Sequence, residues 1–129
     1  MTTMKYHHTE NAPEALGPYS QAVEIDGWLY TSAQSGLDPV TNELAEGGFE
    51  AQARQVLKNL QAVLATGGCS FQDVVRTTIY ILDFANFPAV NSLYAEAMGD
   101  HRPARTTLQV SAIPKAGLVA MDMIARVPR

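Results

Sequence analysis

An arginine stands just inside the β-like run HRPARTTLQV, residues 101–110, two places after Pro103. Arg105 has two ordinary uses there. It is a solvated charge on an edge strand, or a planar fork that grips a carboxylate through two parallel charge-assisted hydrogen bonds. Polar residues of a matching kind fall at other strand ends and loops: Tyr19, Ser32, Gln34, Asn91, Thr107 and Asp122. Together they would suit a small carboxylate. Each also has a plain structural use. Tyr19 can be a half-buried aromatic with its hydroxyl in water, and Ser32 and Thr107 ordinary strand residues. Asn91 can satisfy a loop carbonyl, and Arg105 can pair with a surface acid for little energy. Residue type and spacing leave both readings standing.

Other chemistries find little footing. No Walker-type phosphate loop is present, no G-x-G-x-x-G follows a strand, and no G-x-S-x-G elbow occurs. His7 and His8 fall in an N-terminal stretch that reads as flexible, and His101 is the third histidine, so solvated side chains are expected rather than a metal site. Cys69 is the single cysteine, which excludes an intramolecular disulfide. Beside Gly67-Gly68, with no base near it in sequence, it reads as a packed thiol.

Composition narrows the partners. The 129 residues carry 9 basic and 13 acidic side chains, a net charge of -4, with the basic residues scattered. Phosphate neutralisation needs a basic stripe, so nucleic acid is not an expected partner. No apolar run approaches membrane-spanning length, so no membrane partner is expected and a cytoplasmic protein is the default. Only 17% of residues are charged, which leaves a large uncharged surface for other copies to cover.

The elements that must position these residues follow from periodicity. One domain, 1–129, is expected. Asp26-Gly27 between β-favouring residues signals a hairpin, with strands near 20–25 and 28–34. Phe49, Ala53, Val56, Leu57, Leu60, Val63 and Leu64 make one helical stripe, with Gln52, Arg54, Lys58 and Gln61 mostly elsewhere, ended by Gly67-Gly68. DVVRTTIYILD reads as a strand, FPAVNSLYAEAMG as a helix, and ARTTLQVS and LVAMDMIARV as two more strands. The order β-β-α-β-α-β-β predicts an α+β layer, two helices on one face of a mixed sheet. With no third helix for the other face, self-association is its simplest cover.

The blocks GPYSQA, TSAQSGLDPVTNEL, QARQVLKNLQAVLATGG, VNSLYAEAMG, RPARTTLQV and IPKAGLVAMDMIA resemble the Rid family, the reactive intermediate deaminases also called YjgF/UK114, over nearly the whole chain. The resemblance implies a chorismate-mutase-like α+β fold, a homotrimer whose sheets form a central barrel, and active sites in the clefts between subunits. It implies hydrolysis of small 2-enamine or 2-imine acids to 2-oxo acids and ammonia without a cofactor or a metal. Arg105 of RPAR then corresponds to the residue that binds the substrate carboxylate. Tyr19, Ser32 and Asn91 correspond to cleft residues.

The chain departs from the family pattern in places. Ala33 follows Ser32 where glycine is common. Thr107 replaces a frequent cysteine. In the last strand, deaminating members read E-I-E, the first glutamate placing the attacking water. This chain reads AMD, with Ala120 at that position and Asp122 at the second acid. Asp122 lies on the same strand face, about 6–7 Å along, too far to stand in directly, and a structural role is expected for it. The change leaves two alternatives beside deamination: a trimeric module that binds a small carboxylate, or a related enzyme with a shifted substrate such as another enamine or a lactone.

Overall fold

A computed structural model of the chain describes residues 3–129. The strands are β1 (Lys5–His7), β2 (Ala22–Ile25), β3 (Trp28–Thr31), β4 (Gln34–Ser35), β5 (Val74–Ile81), β6 (Ala104–Gln109) and β7 (Val119–Arg126). Two helices interrupt them, α1 (Phe49–Ala65) and α2 (Phe87–Met98). The sheet runs β1-β2-β3-β7-β5-β6, with β4 also on β7. Every pairing is antiparallel except β5 with β6. That parallel step needs a crossover, and α2 supplies it.

The α+β class and both helices agree with the sequence reading. The strands at the N-terminal end need correction. The segment read as flexible forms β1, where Lys5 faces Glu24 and His7 Nε2 lies 2.9 Å from Glu24 Oε1. His7 is therefore not simply solvated. His101 is not either, since its Nε2 lies 2.7 Å from Val74 O.

The strand expected over 28–34 is broken. β3 pairs Tyr30 with Ile124, whereas β4 pairs Gln34 with Met121, a register one residue out of step. An extra residue of this kind is a bulge. At the break, Met123 N donates to Thr31 Oγ1 at 3.0 Å, so a side chain takes the place of a ladder carbonyl.

Alternation along the strands sorts the two faces. Leu29, Thr77, Ile79, Ile81, Val119, Met121, Met123 and Ala125 are buried toward the helices, with Val56, Leu60, Val63 and Leu64 of α1 above them. The opposite face carries Val23, Tyr30, Thr78, Tyr80, Ala120, Asp122, Ile124 and Leu108. Tyr30 and Leu108 stand 44% and 45% exposed there, so this face is partly apolar and uncovered in the single chain.

Helix α1 ends where a left-handed residue is needed. Gly68 has φ 73°, and the bonds Cys69 N to Leu64 O (3.0 Å) and Gly68 N to Ala65 O (3.0 Å) close a Schellman turn. Gln52, expected away from the stripe, is buried instead. Its Oε1 accepts from Leu118 N at 2.8 Å. Gly36 crosses here so closely that a Cβ would meet the Gln52 Cα at 2.7 Å. Asn59 is buried as well, and its Nδ2 donates to Ser35 O (3.1 Å) and Leu37 O (2.8 Å). Asn59 thus ties the β4 region to the helix, and Gln52 ties the helix to the entry of β7. No helix among the described residues is long and apolar enough to cross a membrane.

Candidate active site

Arg105 opens β6 beside Thr77 of β5, on the face that α2 covers. Phe87, Asn91 and Tyr94 follow the i, i+4, i+7 spacing on α2, so one side of that helix meets the guanidinium. Arg105 Nη2 donates to Asn91 Oδ1 at 2.6 Å. Its Cζ lies 5.7 Å from the Phe87 ring centroid and 5.2 Å from that of Tyr94, within cation–π range. Tyr94 Oη in turn donates to Thr77 Oγ1 at 2.8 Å, which fixes the ring. Burial pushes the Tyr94 phenol up, against the opposing pull of Thr77 and the Arg105 charge. No carboxylate of the described residues pairs with Arg105.

The surface-ion-pair reading of Arg105 therefore fails. The fork is half-buried, held by one amide and two rings, and lines a cavity of about 350 Å³ with Asn91, Tyr94, Ala95, Arg102 and Pro103. A cation held without an acid partner favours an anion from outside.

The remaining candidates gather elsewhere. Tyr19 and Ala120 line a second cavity of about 230 Å³, together with Leu16, Leu37, Ile113 and Pro114. Ser32 lies beside Tyr19 in a shallower depression, with its hydroxyl already donating to Ser20 O at 2.6 Å. Within one chain the Arg105 group and the Tyr19–Ala120 group share no cavity. Thr107, two places along β6 from Arg105, carries a buried Oγ1 with no hydrogen-bond partner.

Asp122 has a partner that its position in sequence gave no sign of. Tyr80 Oη donates to Asp122 Oδ2 at 2.7 Å, across the strand pair on which Tyr80 faces Ala120. That bond, with burial and the Asp122 charge, raises the Tyr80 pKa above its usual 10.0. The carboxylate is thus engaged one strand away.

Gln21 is buried and positions the segment that leads to Tyr19. Its Oε1 accepts from Thr9 N (2.7 Å), and its Nε2 donates to Thr9 O (3.1 Å), Ala12 O (3.3 Å) and Pro13 O (2.8 Å). The sequence reading missed Gln21, and also missed Phe87 and Tyr94 as partners of Arg105. The α2 spacing was the available signal for the aromatic pair. Cys69 is the packed thiol expected. Burial, with the Asp73 and Glu24 charges, pushes it up to about 11, far from nucleophilic use.

A family model described as endoribonuclease L-PSP matches residues 9–127. The chain belongs to the Rid (YjgF/RutC) family. Among its Rid relatives is the 2-iminobutanoate/2-iminopropanoate deaminase of Mus musculus, 44% identical over 117 residues, covering 91% of this chain and 87% of that protein. Solved Rid structures superpose closely. A conserved Rid family protein, YyfA from Yersinia pestis, has a TM-score of 0.93 at 45% identity, covering 97% of this chain and all (100%) of that one. Escherichia coli TdcF, with bound serine, has a TM-score of 0.89 at 31% identity, covering 95% and 98%.

Proposed function

We propose that the protein hydrolyses small 2-imino and 2-enamino acids to 2-oxo acids and ammonia, as a homotrimer with its sites between subunits. One observation carries the reading: Arg105 is held half-buried by Asn91, Phe87 and Tyr94 and has no carboxylate of its own among the described residues. The relatives named as imine deaminases and the serine bound by TdcF are in keeping with a small amino-acid-like ligand.

In the reaction the substrate carboxylate lies in the Arg105 fork, with Thr107 able to donate beside it. An enamine first takes a proton at carbon to become the imine. Water oxygen then adds to C2 of the protonated C=N, and the π electrons pass to nitrogen. One proton passes from the added oxygen to nitrogen, the C–N bond breaks to release ammonia, and loss of the remaining oxygen proton leaves the C2 carbonyl. Anchoring and orientation do most of the work, because an iminium carbon accepts water readily. Tyr19, Ser32 and Ala120 of one copy close the cleft over Arg105, Asn91 and Thr107 of the next. The partly apolar sheet face bearing Tyr30, Ile124 and Leu108 then faces the central barrel.

Ala120 favours a second reading, in which the cleft binds a small carboxylate without turnover. One experiment separates the two. 2-Iminobutanoate is generated by an amino-acid oxidase in the presence of wild type, Arg105→Ala and Ala120→Glu, with light scattering to count subunits. Hydrolysis that needs Arg105 supports the deaminase. An inert wild type that gains activity from Ala120→Glu supports the binding module. A monomer sinks the shared cleft.

A further inference from the structure

The 230 Å³ cavity beside Ala120 has a use beyond closing the cleft. Leu16, Leu37, Ile113 and Pro114 give it an aliphatic side and Tyr19 adds a ring at the mouth, while Glu14, Gln21, Gln34, Ser35 and Lys115 make up the polar part of its lining. Ala120 forms part of the lining where a glutamate would place both bulk and charge. Leu16 and Tyr19 are 63% and 55% exposed, apolar groups left in water at its mouth. An engineered apolar cavity of about 150 Å³ admits benzene, so the volume here suffices for an isobutyl or benzyl group.

The far wall is held by an unusual turn. Lys115 and Ala116 follow one another with φ 59° and 61°, in the left-handed region that non-glycine residues avoid. This turn follows directly on Ile113 and Pro114. Gly117 closes it, and a Cβ there would meet Ile113 Cγ2 at 3.0 Å. Backbone held so unfavourably tends to cluster where a ligand is clamped.

We infer that this cavity receives the substrate side chain and selects 2-imino acids with apolar side chains larger than ethyl. The inference rests on the deaminase reading, and on the Ala120 cavity of one subunit adjoining the Arg105 fork of the next. Each methylene buried from water then favours binding by about fourfold.

The test compares kcat/KM for imines generated in situ from alanine, 2-aminobutyrate, norvaline, leucine and phenylalanine. The expected result is a value that climbs with side-chain size by tenfold or more across the series. Ala120→Glu and, independently, Ile113→Phe should fill the cavity and reverse that order. An active wild type with a flat or falling series overturns the inference while leaving deamination intact. A wild type inert on every imine overturns deamination instead. Binding of the 2-oxo acids pyruvate, 4-methyl-2-oxopentanoate and phenylpyruvate then decides the cavity. Affinity rising with size keeps it, and equal affinity removes it.

Discussion

Arg105 and Asn91 face each other across the β6–α2 packing, with the guanidinium Nη2 donating to the amide oxygen at 2.6 Å. The amide orients the fork without neutralising it. Arg105→Ala should lower kcat/KM for any carboxylate substrate by about 10²–10⁴-fold, since the two charge-assisted hydrogen bonds of the fork are worth roughly 1.5–3 kcal/mol each. Arg105→Lys should fall between, keeping the charge but losing the fork. Asn91→Asp is the sharper test. It places a carboxylate on Arg105 and should abolish ligand binding while leaving the fold intact by circular dichroism.

The separation of the Arg105 cavity from the Tyr19–Ala120 cavity predicts complementation. Arg105→Ala and Tyr19→Ala damage different halves of each proposed cleft. When the two variants are refolded together in equal amounts, about a quarter of clefts should receive two sound halves. Turnover of the mixture should exceed that of either variant alone. A mixture no better than its components would place the whole site within one chain.

Tyr80 and Asp122 give a pH dependence with a definite sign. The Tyr80 pKa is raised in the folded chain, first by its hydrogen bond to Asp122. A raised folded pKa means stability that is present below the unfolded value near 10.0 and lost as pH rises through the folded one. Urea midpoints measured between pH 9 and 11.5 should therefore fall, and Tyr80→Phe should fall less steeply over the same interval.

Thr107 holds a buried hydroxyl oxygen without a partner. Replacing it with the isosteric valine removes an uncompensated polar group and should raise stability by about 1 kcal/mol in urea denaturation. The same change should weaken carboxylate binding, because the donor proposed to lie beside Arg105 is gone. Gain of stability with loss of affinity is the expected pair of results.

Gly36 should tolerate no side chain. A Cβ would meet Gln52 Cα and Cβ at 2.7 Å and its carbonyl at 2.8 Å, none of which is a flexible tip. Gly36→Ala should cost about 1–3 kcal/mol by forcing α1 away from β4, read from the shift in the urea midpoint.

Much of the fold was legible in the sequence because its signals are local. The α1 stripe, the Asp26-Gly27 turn and the glycine stops at 68 and 99 each follow from a few neighbouring residues. The bulge at Thr31 was not legible, since it is defined against β7, some ninety residues away. Nor was β1, whose three residues gain their place only by pairing with β2. The site divides in the same way. Arg105 and Asn91 are 14 residues apart on a crossover unit, and their positions matched the family blocks. The Tyr80–Asp122 bond, spanning 42 residues between neighbouring strands, left no trace in either run. Gln52 read as lying off the apolar stripe, because the backbone group it satisfies belongs to another part of the chain, and for the same reason nothing marked Asn59 as buried.

Gln21 reaches back twelve residues to Thr9 and closes the intervening chain into a ring. The entropy of such a closure grows only with the logarithm of its length, so doubling the ring costs about 0.6 kcal/mol. Because Gln21 also holds the carbonyls of Ala12 and Pro13, the part that can gain or lose residues at little thermodynamic cost lies between Pro13 and Tyr19. The segment leading to Tyr19 is therefore free to vary in length, and its lip of the cavity with it, without disturbing the sheet beneath. Variation in this stretch is one route by which the same scaffold can come to accept differently shaped ligands.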